Sequence, residues 1–75
     1  MPNLITIRFY EELNDFLPDR MKKRAVEVQV KQHQNLKDII ESYGVPHGEV
    51  DLIIANGISV DFDYKPADAD YISVY

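Results

Sequence analysis

Cysteine is absent from the 75 residues, which excludes disulfides and thiolate metal sites. Long apolar runs are missing too. The longest are a few residues, as in Leu52-Ile53-Ile54-Ala55, far short of the roughly 20 that a membrane-spanning helix needs. The opening Met-Pro-Asn-Leu has neither the basic start nor the apolar stretch of a signal peptide, so a cytoplasmic protein is expected. Positive charge is in the minority, with eight Lys and Arg against thirteen Asp and Glu, net −5. That balance disfavours nonspecific attraction to nucleic acid or an anionic membrane. No repeat, low-complexity tract or linker interrupts the chain, and residues 1–75 are expected to form a single domain. An apolar share of 45% is enough for one compact core, with little margin at this size.

What is present reads as short strands around one helix. Ile5, Ile7 and Phe9 alternate with Thr6, Arg8 and Tyr10, and Val26, Val28 and Val30 with Glu27, Gln29 and Lys31. This period of two marks strands with one buried face. Between them, Glu11 to Arg24 is too long for a tight turn; Leu13 and Phe16 are expected to tuck under the sheet while the rest runs over the surface. Asn35 is a good helix N-cap, and Asp38 suits the positive end of the helix dipole. Leu36, Ile39, Ile40 and Tyr43 then form a single apolar stripe. Gly44 can take the left-handed C′ position and Pro46 prevents continuation, which predicts a helix over roughly Leu36 to Tyr43. Asp51 to Ala55 reads as a buried strand and Asn56-Gly57 as a hairpin turn. A one-faced strand follows, with Ile58, Val60 and Phe62 inward and Ser59, Asp61 and Asp63 outward. Lys65 to Asp70 is a polar turn, and Ile72 and Val74 mark the last strand. The predicted order is β-β-α-β-β-β, an α+β arrangement with one helix across one sheet. The predicted core includes Ile5, Ile7, Phe9, Val28, Leu36, Ile39, Ile40, Val60, Ile72 and Val74.

Few residues carry a chemical signal. His33 and His47 sit in different loops without a patterned partner, and His47 is expected to order the loop after the helix. Asp61, Asp63, Asp68 and Asp70 offer oxygen ligands for a hard cation, but they lack EF-hand spacing and read as a solvated acidic rim. No nucleophile stands beside a base and no Gly-rich loop opens a helix. No catalytic, metal or cofactor-binding residue is therefore assigned, and no small-molecule substrate is expected. Arg20, Lys22, Lys23 and Arg24 gather half of the basic residues in one loop. They could meet RNA phosphates weakly, or an acidic partner, or simply keep the loop soluble. Without interleaved aromatics the loop offers no stacking platform.

The element order is that of the ubiquitin-like β-grasp, with a mixed five-stranded sheet and one helix packed across it. The run Ile5-Thr6-Ile7-Arg8-Phe9-Tyr10 with Leu13 resembles the first strand of the molybdopterin-synthase small subunit and the thiamine sulfur carrier. Ala55-Asn56-Gly57, Val60, Phe62-Asp63 and Asp68-Ala69-Asp70 are similar to their later strand and final turn. Stretches Arg8 to Leu17, Gly44 to His47, Glu49 to Ile53 and Val60 to Tyr64 more closely resemble the ubiquitin-like domain associated with the Mut-seven C-terminal RNase family. In that family the domain commonly precedes a PIN-like nuclease domain with a zinc ribbon. Ala69 departs from the usual turn glycine, and Pro66 stands where relatives often carry leucine. The sequence stops at Tyr75, where sulfur carriers run on to an exposed Gly-Gly, so activation by an adenylating enzyme is not expected of it. Relatives of the RNase-associated type also run a few residues further, which fits an excerpt or a trimmed protein.

The resemblance also implies that the first and last strands are neighbours. Arg8 and Tyr10 would then share an open sheet face with Tyr71, Ser73 and Tyr75. Aromatics with polar tips are enriched at protein interfaces. The expectation is a non-catalytic interaction module whose partner is a protein, or a covalently linked RNase domain. A sulfur carrier shorn of its diglycine is the alternative, and a free-standing protein that reused the fold is a third.

Overall fold

The computed structural model of the protein describes residues 3–75. Five strands form one sheet: β1 (Asn3–Phe9), β2 (Val26–Val30), β3 (Ile53–Ala55), β4 (Ile58–Val60) and β5 (Tyr71–Val74). One α-helix, α1 (Leu36–Ser42), packs on one side of it. The sheet order is β2-β1-β5-β3-β4. β1 and β5 run parallel at its centre while the other neighbours are antiparallel. This is the β-grasp arrangement that the hydrophobic pattern and the resemblance predicted.

Register explains which side chains meet. Ile7 lies opposite Ile72, Phe9 opposite Val74, and Val74 and Ile72 in turn opposite Ile53 and Ala55. Because alternate residues share a face, these six point the same way, onto Leu36, Ile39 and Ile40 of α1, and all nine are buried. Each large aliphatic side chain removed from water contributes about 1.5–3 kcal/mol, the main force holding so small a core. Asn35 Oδ1 accepts from the Asp38 N–H at 3.0 Å, as a cap should. The N–H groups of Leu36 and Lys37 donate to the carbonyls of Tyr64 and Phe62, which ties the segment after β4 to the helix start. At the other end Gly44 has φ +90°, and a Cβ there would also meet the Phe16 carbonyl oxygen at 3.1 Å.

Five expectations need correction. Phe16 is 40% exposed, and Leu17 and Met21 are buried with Leu13 instead. The connection after β1 is two short 3-10 helices, Glu11–Phe16 and Asp19–Met21, rather than a surface loop. Leu17 is extended (φ −89°, ψ 152°) at the end of the first; that change of direction turns its side chain inward in place of Phe16. Ile58, expected to face the core, is 69% exposed, since it stands at the turn end of an edge strand opposite Ala55. β4 also ends at Val60, short of Phe62. There Asp61 Oδ1 accepts from the Asp63 N–H at 3.0 Å, an Asx turn that draws the chain out of the ladder. Val28 and Val60 are half-buried against the core rather than within it, as are Phe62 and Tyr64. Among the described residues, no helix is long and apolar enough to cross a membrane.

Candidate protein-docking face

Opposite the helix the sheet is uncovered, and its side chains fall in rows set by the register. Arg8 lies beside Ser73, which lies beside Ile54. One step toward the end of β1, the Tyr10 N–H donates to the Val74 carbonyl at 3.0 Å, and Tyr75 and Leu52 exchange both backbone hydrogen bonds. In the other direction Tyr71 stands beside Thr6. The structure thus brings together all five residues predicted for an interface. The rings of Tyr10 and Tyr75 stack with centroids 4.4 Å apart and planes 11° apart. The Arg8 guanidinium lies over the Tyr10 ring, 5.0 Å from its centroid. Offset stacking contributes about 0.5–1.5 kcal/mol beyond area burial, and a cation over a ring about 0.5–1 kcal/mol where water is near. These contacts bias the three side chains toward one arrangement in the free chain. Tyr71 and Tyr75 are exposed, as are Leu4 and Leu52 on the same face, whereas Ser73 is only 9% exposed and forms the floor.

The final turn that positions β5 is built on Asp70, which is 7% exposed. Its carboxylate accepts from Asn56 Nδ2 (2.8 Å), the Tyr64 hydroxyl (2.6 Å) and the Ala67 N–H (2.9 Å). Burial opposes the charge, but these hydrogen bonds together outweigh it and hold the carboxyl below its usual range. The same contact raises the Tyr64 phenol. Asn56 Oδ1 in turn accepts from the Tyr71 N–H at 2.8 Å. Ala69, where the resemblance implies a glycine, has φ +71°, and its N–H donates to the Leu4 carbonyl at 2.8 Å. The turn keeps its left-handed geometry without glycine, and Pro66 fills its core position fully buried.

The basic loop does not make one patch. Lys22 pairs with Asp19 at 3.3 Å. Arg20 lines a cleft of about 310 Å³ with Met21, Val26, Val28 and Tyr43, where burial raises the Tyr43 phenol despite Arg20 nearby. Lys23 lines a different cleft, with Arg8 and Asn14, and Arg24 is exposed. His47 Nδ1 is 2.6 Å from the Glu41 carboxylate, and its ring meets Phe62 edge-on with centroids 5.9 Å apart. It thereby fastens the segment after α1, and the contact lowers the Glu41 pKa. His33 is exposed in the turn before α1. The four aspartates are spent separately: Asp61 in its own turn, Asp68 on the Leu4 N–H, Asp70 as above, and Asp63 exposed. Among the described residues, no group of three His, Cys, Asp or Glu is placed to hold a metal ion. Asp70, expected in a solvated acidic rim, is instead buried because three donors satisfy its carboxylate; Asn14 gave no signal in the sequence, because a single polar residue in a loop looks the same whether solvated or buried.

Solved structures that share this fold include the following three. One is a Pyrococcus furiosus protein assigned as molybdopterin converting factor, subunit 1 (TM-score 0.68, 15% identity, covering 96% of this chain and 94% of that one). Another is the Haloferax volcanii small archaeal modifier protein 1, in one structure at TM-score 0.69 and 13% identity over 96% and 94% of the two chains. In a second structure it superimposes at TM-score 0.67 and 12% identity over 97% and 93%. No curated protein matches in sequence. The model of the Mut7-C ubiquitin family matches residues 2–75, nearly the whole sequence. This ubiquitin-like, β-grasp chain therefore belongs to the Mut7-C ubiquitin family.

Proposed function

We propose that residues 1–75 act as one non-catalytic docking domain, with the open sheet face as its contact surface and a PIN-like RNase domain, linked or separate, as its partner. Ubiquitin-like modifier domains commonly interact with other proteins, which sets the class. The observation that carries the reading is the aromatic face itself. Tyr10 and Tyr75 stack and the Arg8 guanidinium lies over the Tyr10 ring, and Tyr71, Leu4 and Leu52 surround them exposed. Ordering an interface side chain costs about 0.5–1.5 kcal/mol, so a surface ordered in advance binds with less loss. Tyrosine and arginine are also the residues that dominate interface energetics. Family membership, with the RNase association that the sequence resemblance implies, supports the choice of partner.

Calorimetric titration of the chain with a PIN-like RNase domain from the same genome tests this. Saturable binding is expected. Tyr71→Ala with Tyr75→Ala should weaken it by roughly tenfold or more, as hot-spot truncations above about 1.4 kcal/mol do. Undiminished binding by the double variant would remove the face from the account. The isolated chain is expected to leave RNA uncleaved. Its likeness to an assigned molybdopterin converting factor and to a modifier protein favours, as a second reading, a sulfur carrier or protein modifier. Adenylate or thiocarboxylate formation with an activating enzyme and ATP would support that reading against the first.

A further inference from the structure

The turn between β3 and β4 carries chemistry of its own. Of the four asparagines, Asn56 alone is followed by glycine. An asparagine side chain can be attacked by the backbone nitrogen of the next residue, and glycine obstructs that attack least. The bond from the Gly57 nitrogen to Asn56 Cγ forms as the amide proton leaves. The Cγ–Nδ2 bond breaks to release ammonia, and a five-membered succinimide remains. Water then opens either succinimide carbonyl to give aspartate or isoaspartate. The net change is one water consumed and one ammonia released, and no oxidant or other reactant is needed.

Exposure alone would make this pair reactive. Asn56 and Gly57 are both exposed. Apart from its chain neighbours, nothing lies within 4 Å of where a Gly57 Cβ would stand. The Asn56 side chain, however, is held at both ends. Its Oδ1 accepts from the Tyr71 N–H at 2.8 Å, and Nδ2, the atom that must leave, donates to Asp70 Oδ1 at 2.8 Å. The Asn56 N–H also donates to the Tyr71 carbonyl at 2.9 Å. Backbone and side chain together thus extend the β3–β5 ladder to the start of β5. Attack needs Cγ to turn toward the Gly57 nitrogen and become tetrahedral, which breaks the side-chain bonds. The backbone adds to the restraint. Asn56 (φ 52°) and Gly57 (φ 85°) form a tight hairpin turn, which closure of the ring would undo.

We propose that Asn56 is a one-way modification site, unreactive while bonded to Asp70 and Tyr71 and deamidated when this turn opens, whose product cannot rebuild the turn. In the aspartate product a carboxylate oxygen replaces Nδ2 and faces Asp70 Oδ1 where a donor stood. Asp70 is only 7% exposed, and two carboxylates sharing such a site oppose each other's charge. In the isoaspartate product the main chain runs through the side chain and gains a carbon, which a two-residue turn cannot absorb without losing register. Either product loosens the start of β5. Local opening, which native chains undergo continually, is the step that sets the pace.

Peptide mapping by mass spectrometry, after incubation at mildly alkaline pH, tests this on the whole chain. Deamidation at Asn56 is timed in the folded chain and in a blocked peptide spanning Ala55 to Ser59. The folded chain should react about tenfold or more slowly than the peptide, the protection that a closed turn confers. Asp70→Ala, with an otherwise native amide spectrum, should raise the folded rate toward that of the peptide. Asn56→Asp, the aspartate product made directly, should melt below the parent at neutral pH. A folded chain as reactive as the peptide would overturn the proposal. So would Asp70→Ala with the parent's rate, or Asn56→Asp with the parent's melting point. The comparison with the peptide needs no variant, so it decides the matter even where Asp70→Ala fails to fold.

Discussion

Asp70→Asn is the substitution whose consequence can be worked most fully from the structure. Asp70 accepts from Asn56 at one oxygen, and from Tyr64 and Ala67 at the other. Asparagine keeps one oxygen. If its amide nitrogen takes the second position, the Tyr64 hydroxyl can turn to accept from it, but the Ala67 N–H then faces a donor. If the nitrogen takes the first, it faces Asn56 Nδ2, while Asn56 Oδ1 is already held by the Tyr71 N–H. In both arrangements one donor loses its acceptor at a site only 7% exposed, which costs about 1–3 kcal/mol. At roughly 0.05–0.15 kcal/mol per residue the whole domain has about 4–11 kcal/mol, so the loss is a large share. Urea unfolding at pH 7 and at pH 3 measures it. Because the hydrogen bonds hold the Asp70 carboxyl below its usual range against the opposing effect of burial, its contribution is complete above the unfolded carboxyl pKa of about 3.9. It disappears as pH falls through the lower folded value. The deficit of the variant should therefore be full at pH 7 and shrink below about pH 4. A deficit under about 0.5 kcal/mol at pH 7, the range of ordinary surface changes, or one that does not shrink in acid, would refute the reasoning.

Other perturbations test other links. Ile40 is 0% exposed, so Ile40→Ala should cost about 2–5 kcal/mol through lost burial and a cavity; a melting point within a few degrees of the parent would place it outside the core. Gly44→Ala meets both φ +90° and the Phe16 carbonyl, and should destabilise by more than the roughly 1 kcal/mol that a left-handed alanine costs. Ala69→Gly relieves φ +71° and should be neutral or stabilising by up to about 1 kcal/mol, since glycine's unfolded-state entropy offsets part of the gain; thermal melts decide both. Any RNA affinity should fall steeply with salt and vanish when Arg20, Lys22, Lys23 and Arg24 are all serine. Filter binding at two salt concentrations reads this, and retained affinity would move the contact elsewhere.

The sequence disclosed what periodicity encodes. Ile5, Ile7, Phe9, Ile72 and Val74 alternate in strands, and Leu36, Ile39 and Ile40 recur on one helical face, so core and strand order were legible. The Asn35 cap and the Gly44 stop were legible too, because each residue type answers a specific backbone need. Leu17 and Met21 were not, since 3-10 turns of three to six residues carry no sustained period and their inward side is set by tertiary contacts. Ile58 misled because alternation reports a strand's faces but not how far the helix covers an edge. The aromatic sheet face was legible only through pairing, as Arg8, Tyr10, Tyr71, Ser73 and Tyr75 become neighbours when β1 and β5 run parallel. The Arg8–Lys23 cleft was invisible, because Asn14 joins residues from two separate turns.

In the proposed complex the open sheet face, and not the helix side, meets the partner. Backbone amide shifts of the labelled chain, followed while an unlabelled PIN-like RNase domain is added, test it most directly. The largest changes are expected along Leu4 to Tyr10 and Tyr71 to Tyr75, with α1 and the segment from His47 to Glu49 nearly unmoved. Changes concentrated on α1, or no change at RNase concentrations far above those of the chain, would contradict it.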